Sequence, residues 1–101
     1  MVSTPARAPS SKRATSFEPA VARAFGEVAR SVRVGRGVAQ DELALLADVD
    51  RSYYGKLERG ERQPSLALLL RIAGALEVTG GELVTMVEAH MATQRRRKRE
   101  T

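Results

Sequence analysis

The sequence contains no cysteine and no tryptophan, and His90 is its only histidine. The lack of cysteine excludes disulfides, thiolate metal sites and cysteine nucleophiles. One histidine does not supply the ligand set of a zinc site, and no second group is placed to form a catalytic triad with it. No apolar run approaches the roughly 18 residues of a membrane span, and the N-terminus lacks the apolar stretch of a secretory signal. We therefore expect a cytoplasmic protein that is not an enzyme and has no cofactor, no metal site and no membrane partner, with His90 exposed or at an interface.

Aromatic residues make up only 4 % of the 101 residues, so the core of this single small domain must be aliphatic. The net charge of +5 is unevenly distributed. Residues 16–94 contain 9 basic and 11 acidic residues, and the excess of basic residues lies in residues 1–15 and 95–101. Any anion that the central part binds must therefore meet a local patch. We predict a disordered basic arm at 1–15, a folded domain at 16–92 and a disordered basic tail at 93–101.

Apolar residues at helical spacing predict five helices and no strand, an all-α fold around one core. The third, fourth and fifth helices each follow a good N-cap residue, namely Asp50, Ser65 and Thr79. Thr79 and Glu82 fit a capping box, and Gly60 is placed for a left-handed C-cap. The predicted helices run from Phe17 to about Gly35, from Gln40 to Ala47, from Arg51 to about Arg59, from Leu66 to Leu76, and from about Gly80 to Ala92.

The second and third predicted helices are each about eight residues long, and the turn between them contains an apolar residue, Val49. So short a turn does not suit an antiparallel hairpin of parallel axes. It is typical of a helix-turn-helix, whose second helix projects from the body and fits the major groove of DNA.

In this region the sequence resembles the DNA-binding domains of the phage-repressor and Cro type, also called XRE-type helix-turn-helix proteins. The resemblance extends over 60 of the 101 residues, from Phe25 to Val84. Phe25–Val28 and the short chain are also similar to the controller proteins of restriction–modification systems. The resemblance implies a compact five-helix fold of the lambda-repressor type and double-stranded DNA as the partner. The matching residues are Val38–Ala44, Val49–Tyr54, Leu57–Gly60, Pro64–Leu66, Ile72, Ala73, Ala75 and Leu76.

The resemblance also implies roles for single residues. It places Arg33 and Glu58 in a structural ion pair, and it gives Tyr54 an inward ring with the hydroxyl at the edge. Outward positions of the third helix meet base edges, where arginine and lysine side chains reach guanine. The implied base contacts are Arg51, Ser52, Gly55 and Lys56. The implied contacts to the DNA backbone are Gln40, Tyr53, Arg59, Arg62 and Gln63.

The fifth helix predicts self-association. Leu83 is expected to complete the core, which leaves Val84, Val87 and Met91 at helical spacing on an uncovered face, and such a stripe is typical of an interface. A two-fold homodimer presents two recognition helices to successive major grooves, which predicts a palindromic operator.

The leading hypothesis for function is a sequence-specific, homodimeric DNA-binding transcriptional regulator. The alternative is an antitoxin-like protein of the same fold whose primary task is to bind a partner protein, through residues 1–15 or 90–101. A small enzyme is rejected because the sequence offers no nucleophile–base pair and no metal set.

Overall fold

Five α-helices in chain order form the part of the protein that the structure, a computed structural model, describes, residues 17–100. The predicted arm at residues 1–15 lies outside the described residues. No strand occurs between residues 17 and 100, and the prediction of an all-α fold with five helices is confirmed. No helix in this range is long and apolar enough to cross a membrane. The helices are α1 (Pro19–Gly35), α2 (Gln40–Ala47), α3 (Arg51–Glu58), α4 (Leu66–Ala75) and α5 (Gly80–Glu100).

The predicted caps are present at the starts of α3, α4 and α5. The side chains of Asp50 and Ser65 each accept a backbone N–H from three residues further on, at 3.0 and 3.1 Å. Thr79 and Glu82 form the reciprocal capping box, with distances of 3.0 and 2.8 Å. Gly60, just past the end of α3, has a φ of +76°. The starts of α3, α4 and α5 and the end of α3 are therefore set by local chemistry that the sequence encodes directly.

The core lies where α1 packs against α3 and α5 and where α2 packs against α3 and α4. It is aliphatic apart from the rings of Phe25 and Tyr54. Because α3 is held from one side by α1 and from the other by α2, its orientation depends on both contacts. The largest fully buried side chains are Tyr54, Leu43, Leu57, Ile72, Leu76 and Leu83.

The contact between α1 and the end of α3 depends on a glycine. A Cβ atom added at Gly26 would lie 2.5 Å from the carbonyl oxygen of Leu57 and would overlap the carbonyl oxygen of Glu58. Both obstacles are backbone atoms, which cannot turn aside as a flexible side chain does. The two helices therefore approach backbone to backbone, and only glycine fits there.

The end of α5 differs from the prediction. The sequence predicts that this helix ends near Ala92 and that residues 93–101 are disordered, but the helix continues to Glu100. The predicted disordered tail is therefore wrong for residues 93–100. Apolar periodicity stops after Ala92, yet the following glutamine, arginines and lysine are good helix formers. Cations also interact favourably with the C-terminal end of a helix.

Candidate nucleic-acid interface

The helix α3 has one face in the core and one face toward solvent. Tyr54 and Leu57 on the inner face are fully buried. Arg51 and Ser52 on the outer face are exposed, and Lys56 is half-buried. Three of the four predicted base-contacting residues therefore lie on the side that a recognition helix presents to the major groove.

Gly55 lies between Arg51 and Ser52 around the helix axis, since successive residues turn by about 100°, but two side chains cover it. It is buried, and a Cβ atom there would lie 3.2 Å from Nη1 of Arg59 and 3.5 Å from Oε1 of Gln40. In this structure the side chains of Arg59 and Gln40 therefore separate Gly55 from solvent, and its role at a base edge stays a prediction. The missing side chain instead leaves room for Gln40 to lie across α3.

The expected ion pair between Arg33 and Glu58 is present, and it is bidentate. Nε of Arg33 donates to Oε2 of Glu58 at 2.7 Å, and Nη2 donates to Oε1 at 2.9 Å. The same guanidinium donates through Nη1 to the carbonyl oxygen of Val38 at 2.8 Å. Gln40 adds a hydrogen bond from Nε2 to Oε1 of Glu58 at 2.9 Å. This network, Arg33, Val38, Gln40 and Glu58, joins α1, the start of α2 and the end of α3.

Both charges of the pair persist at neutral pH. Burial opposes ionisation of Glu58, but the hydrogen bonds from Arg33 and Gln40 and the positive charge of Arg33 outweigh it, so that the pKa of Glu58 is below its ordinary value. The hydrogen bond to Glu58 raises the pKa of Arg33. The network is therefore a fixed pair of charges, not a proton donor or acceptor poised for catalysis.

Tyr54 lies deeper than expected. Its hydroxyl is buried with the ring, and it makes no hydrogen bond with the part of the chain that the structure describes. Burial raises the pKa of this hydroxyl, and the nearby Glu58 carboxylate raises it further. The expectation of a hydroxyl at the edge is wrong, because α3 packs closely enough on α1 to enclose the whole side chain.

The first turn of α2 offers a site for a phosphate group. Its N-cap residue, Ala39, provides no side-chain acceptor, so no side chain caps the backbone N–H groups of this turn. Gln40, the expected phosphate ligand, is half-buried and holds Glu58 with its amide nitrogen. An anion at this helix terminus therefore meets backbone donors, with Gln40 beside them.

Arg59, Arg62 and Gln63, at the end of α3 and in the loop after it, are further expected contacts to the DNA backbone, and each makes a hydrogen bond within the protein. Nε of Arg59 donates to Glu61 at 2.8 Å, and Nη1 of Arg62 donates to the carbonyl oxygen of Glu61 at 3.0 Å. Oε1 of Gln63 accepts from the backbone N–H of Glu18 at 2.9 Å, which ties the loop to the start of α1. The Arg59–Glu61 pair is exposed, and such pairs exchange partners at little cost.

At the other end of α3, Arg51 makes an exposed ion pair with Asp41 of α2 at 3.2 Å. Tyr53, expected at the DNA backbone, is half-buried against the core. Gln40 lies between Arg51 and the loop after α3, because it directly precedes Asp41 in the chain and its side chain lies over Gly55. One continuous surface, called here the helix-turn-helix surface, thus contains Gln40, Arg51, Ser52, Lys56, Arg59 and Arg62.

Comparison with known proteins identifies the family of this chain. The helix-turn-helix family profile matches residues 30–83, which is more than half of the chain and contains the whole of α2, α3 and α4. The chain belongs to the XRE-type helix-turn-helix family. The predicted resemblance and the lambda-repressor-like fold are thereby confirmed.

Three solved structures are similar to this helix-turn-helix chain. The clp gene regulator ClgR from Corynebacterium glutamicum is 31 % identical, with a TM-score of 0.73 over 77 % of this chain and 83 % of that one. The restriction–modification controller protein C.AhdI from Aeromonas hydrophila is 42 % identical, with a TM-score of 0.60 over 61 % and 94 %. The controller protein C.Esp1396I, solved as a tetramer in complex with its natural 35 base-pair operator, is 25 % identical, with a TM-score of 0.67 over 71 % and 95 %.

The expected dimer stripe on α5 is not an open face. Val87 is 8 % exposed and belongs to the core, and Met91 is half-buried against it. Only Val84 remains exposed, at 40 %. The prediction of an uncovered face is wrong for Val87 and Met91, because α5 packs along α1 and buries them.

An exposed apolar patch lies instead across α4 and α5. Leu66 and Leu70, one turn apart on α4, are 72 % and 53 % exposed. A Cβ atom at Gly80 would lie 2.5 Å from Cδ2 of Leu70, so Leu70 covers the first turn of α5, and Val84 follows one turn after Gly80. Leu66, Leu70 and Val84 therefore form the α4–α5 patch. The spacing of Leu66 and Leu70 was visible in the sequence, but their exposure depends on which face of α4 the core takes.

Proposed function

We propose that this protein is a sequence-specific DNA-binding transcriptional regulator, acting in the cytoplasm by binding and not by catalysis. The observation that carries the proposal is the bidentate Arg33–Glu58 pair with Gln40, which fixes the start of α2 against the end of α3. Such a network holds the two helices of a helix-turn-helix in one orientation toward DNA. The structure of C.Esp1396I on its operator supports the same use of this fold.

In this proposal α3 enters the major groove. Arg51 breaks its ion pair with Asp41 and donates hydrogen bonds to the O6 and N7 atoms of a guanine, and Lys56 contacts a second base edge. The first turn of α2 receives a phosphate on its backbone N–H groups, and Arg59 and Arg62 neutralise phosphates beside it. Base recognition and backbone anchoring are therefore divided between α3 and the elements that flank it.

We extend the proposal to a homodimer that uses the α4–α5 patch and binds a palindromic operator. Leu66, Leu70 and Val84 supply an apolar surface that a second copy covers in an isologous contact. The two recognition helices then meet major grooves about one helical turn apart, roughly 34 Å. Binding the second half-site is effectively intramolecular, which raises affinity above that of one short helix.

Replacing Arg51 with alanine should abolish the preference for one base pair in each half-site, worth about 1–3 kcal/mol for a bidentate contact. Replacing Arg62 with alanine should weaken binding to all sequences alike, and it should flatten the dependence of log K on log salt by about one unit for each phosphate that Arg62 neutralises. Selection of binding sites from random duplexes by each purified protein, followed by salt titration, measures both effects.

The two arginine variants serve as controls for each other, since both remove one exposed cation. An unchanged selected sequence for Arg51→Ala would contradict its role as a base contact. Failure of the wild-type chain to enrich any sequence from the random pool would remove the proposed function itself.

Replacing Leu66 with glutamate should convert the dimer to a folded monomer. The position is exposed in one copy, so the charge costs little there, whereas two buried carboxylates in the dimer repel one another. Light scattering should give a mass near twice 11.0 kDa for the wild type and near 11.0 kDa for the variant.

Leu45→Glu is the matched control, because Leu45 is 80 % exposed on α2, away from the patch, and its replacement should leave the dimer intact. Val87→Glu is unsuitable, since Val87 is in the core. A wild-type chain that stays monomeric at about 10 µM or more and still binds a palindrome tightly would exclude this dimer.

A further inference from the structure

The last turns of α5 contain five consecutive cations, followed by Glu100 as the final residue of the helix. Residues 95–99 read Arg-Arg-Arg-Lys-Arg and are exposed. Because successive helical residues turn by about 100°, the five cations surround the helix axis. No hydrogen bond or ion pair joins Arg95, Arg96, Arg97 or Arg99 to a described side chain. The four arginines of this basic end, residues 95–99, are therefore not neutralised by a side chain that the structure describes.

The basic end lies against the start of α1. Arg95, Arg97 and Lys98 line a groove with Ala20 and Arg23. The groove also contains Glu27, whose Oε1 lies 2.6 Å from Nε2 of His90. On its other side α1 meets the loop after α3, since a Cβ atom at Gly60 would lie 2.9 Å from Cγ of Arg23 and 3.0 Å from its Cα. Arg23 therefore lies between the basic end of α5 and the loop that carries Arg59 and Arg62.

A second contact places the same loop at the same end of α1. Gln63 accepts the backbone N–H of Glu18, which directly precedes α1. The loop cations Arg59 and Arg62, then Arg23, then the basic end of α5 thus follow one another across the start of α1. This basic band is continuous with the helix-turn-helix surface and extends it away from α3.

The positive charges of residues 95–99 repel one another, which destabilises this end of α5. Arg95 and Arg99 are four residues apart on one helix, and Arg96 and Arg99 are three apart, spacings at which like charges repel. A polyanion on the band relieves that repulsion and releases its own counterions. The polyanion that the helix-turn-helix surface brings next to the band is DNA that continues past the recognised half-site.

We propose that the basic end of α5, with Arg23, binds the phosphates of DNA flanking each recognised half-site. The inference rests on the proposed function and adds to it a contact that reads no bases. An acidic protein could also pair with the positive charges of this band. The continuity of the band with the helix-turn-helix surface favours DNA, because one duplex reaches both without interruption.

The test compares two duplexes that carry the sequence selected by the wild-type protein, one trimmed to the site and one extended by about 15 base pairs of unrelated sequence on each side. The wild type should bind the extended duplex about tenfold more tightly at low salt, with a log K against log salt slope steeper by about 0.9 for each added phosphate contact. A variant with Arg95, Arg96, Arg97, Lys98 and Arg99 all replaced by glutamine should bind both duplexes equally well.

A second variant, with the four arginines of this segment replaced by lysine, is the matched control. It keeps the charge and the helix propensity, so it should retain the gain from the flanking DNA. Circular dichroism checks that both variants keep α5.

Three results distinguish a failure of the inference from a failure of the proposed function. Specific binding by the wild type with no gain from the flanking DNA would overturn the inference and leave the proposed function standing. Equal losses on both duplexes in the glutamine variant would overturn it as well, because the charges would then act within the site. No specific binding by the wild type on either duplex would overturn the proposed function first.

Discussion

Replacing Glu58 with alanine is expected to lower the free energy of unfolding by about 3 kcal/mol or more. The variant leaves the guanidinium of Arg33 buried without its carboxylate and removes the acceptor of Gln40. For a domain of this size that loss lowers the melting temperature by more than about 10 °C. A thermal melt followed by circular dichroism measures it.

Glu61→Ala is the control for this prediction, because Glu61 also pairs with an arginine, Arg59, but does so in solvent. Its loss should change stability by less than about 1 kcal/mol. A double-mutant cycle with Arg33→Ala isolates the interaction between Arg33 and Glu58. A coupling energy near zero would show that the pair does not hold α1 to α3.

The Glu58 carboxylate also makes the free energy of unfolding depend on pH. The pKa of Glu58 is lower in the folded chain than the value of 4.5 assigned to a free side chain. Its contribution is therefore complete above about pH 4.5 and is lost as the pH falls through the folded-state pKa. The difference in stability between the wild type and Glu58→Gln should narrow as the pH falls below 4.5, which denaturant titrations at several pH values measure.

Replacing Gly26 with alanine is expected to destabilise the fold by about 1–3 kcal/mol or more, since an added methyl group meets backbone carbonyls at the end of α3. The helices must separate to admit it, and α3 then tilts away from the position that Glu58 and Gln40 set. Affinity for the selected DNA sequence should fall as well, even for the fraction that remains folded. Urea titration and DNA binding, each at a temperature well below the melting point, separate the two effects.

Gly74→Ala is the control for Gly26→Ala: it adds the same methyl group, but we expect it to stabilise the protein. Gly74 lies within α4, is exposed, and has no atom near the position of an added Cβ. Alanine should stabilise the helix there by up to about 1 kcal/mol. If Gly26→Ala were as stable as wild type, the close approach of α1 and α3 would not be rigid.

Features that depend on near neighbours in the chain could be predicted from the sequence alone. The caps at Asp50, Ser65 and Thr79 and the left-handed turn at Gly60 follow from residues within four positions of one another. The helix-turn-helix could also be predicted from the sequence, because the lengths of its two helices and turn, and the residues that match the family, lie within one continuous stretch of the chain. The pairing of Arg33 with Glu58 came from the resemblance alone, as nothing local in either residue identifies a partner 25 positions away.

Other features depend on packing between residues that are far apart in the chain, and these became visible only in the folded structure. The burial of Gly55 depends on Gln40, the burial of Val87 and Met91 depends on the length over which α5 follows α1, and the exposure of Leu66 depends on the face of α4 that the core takes. The requirement for glycine at position 26 and the position of the basic end of α5 beside Arg23 arise in the same way. In each case the residue that causes the burial or contact is far away in the sequence. Helical periodicity identifies an apolar or charged face of a helix, but it does not identify the element that packs against that face.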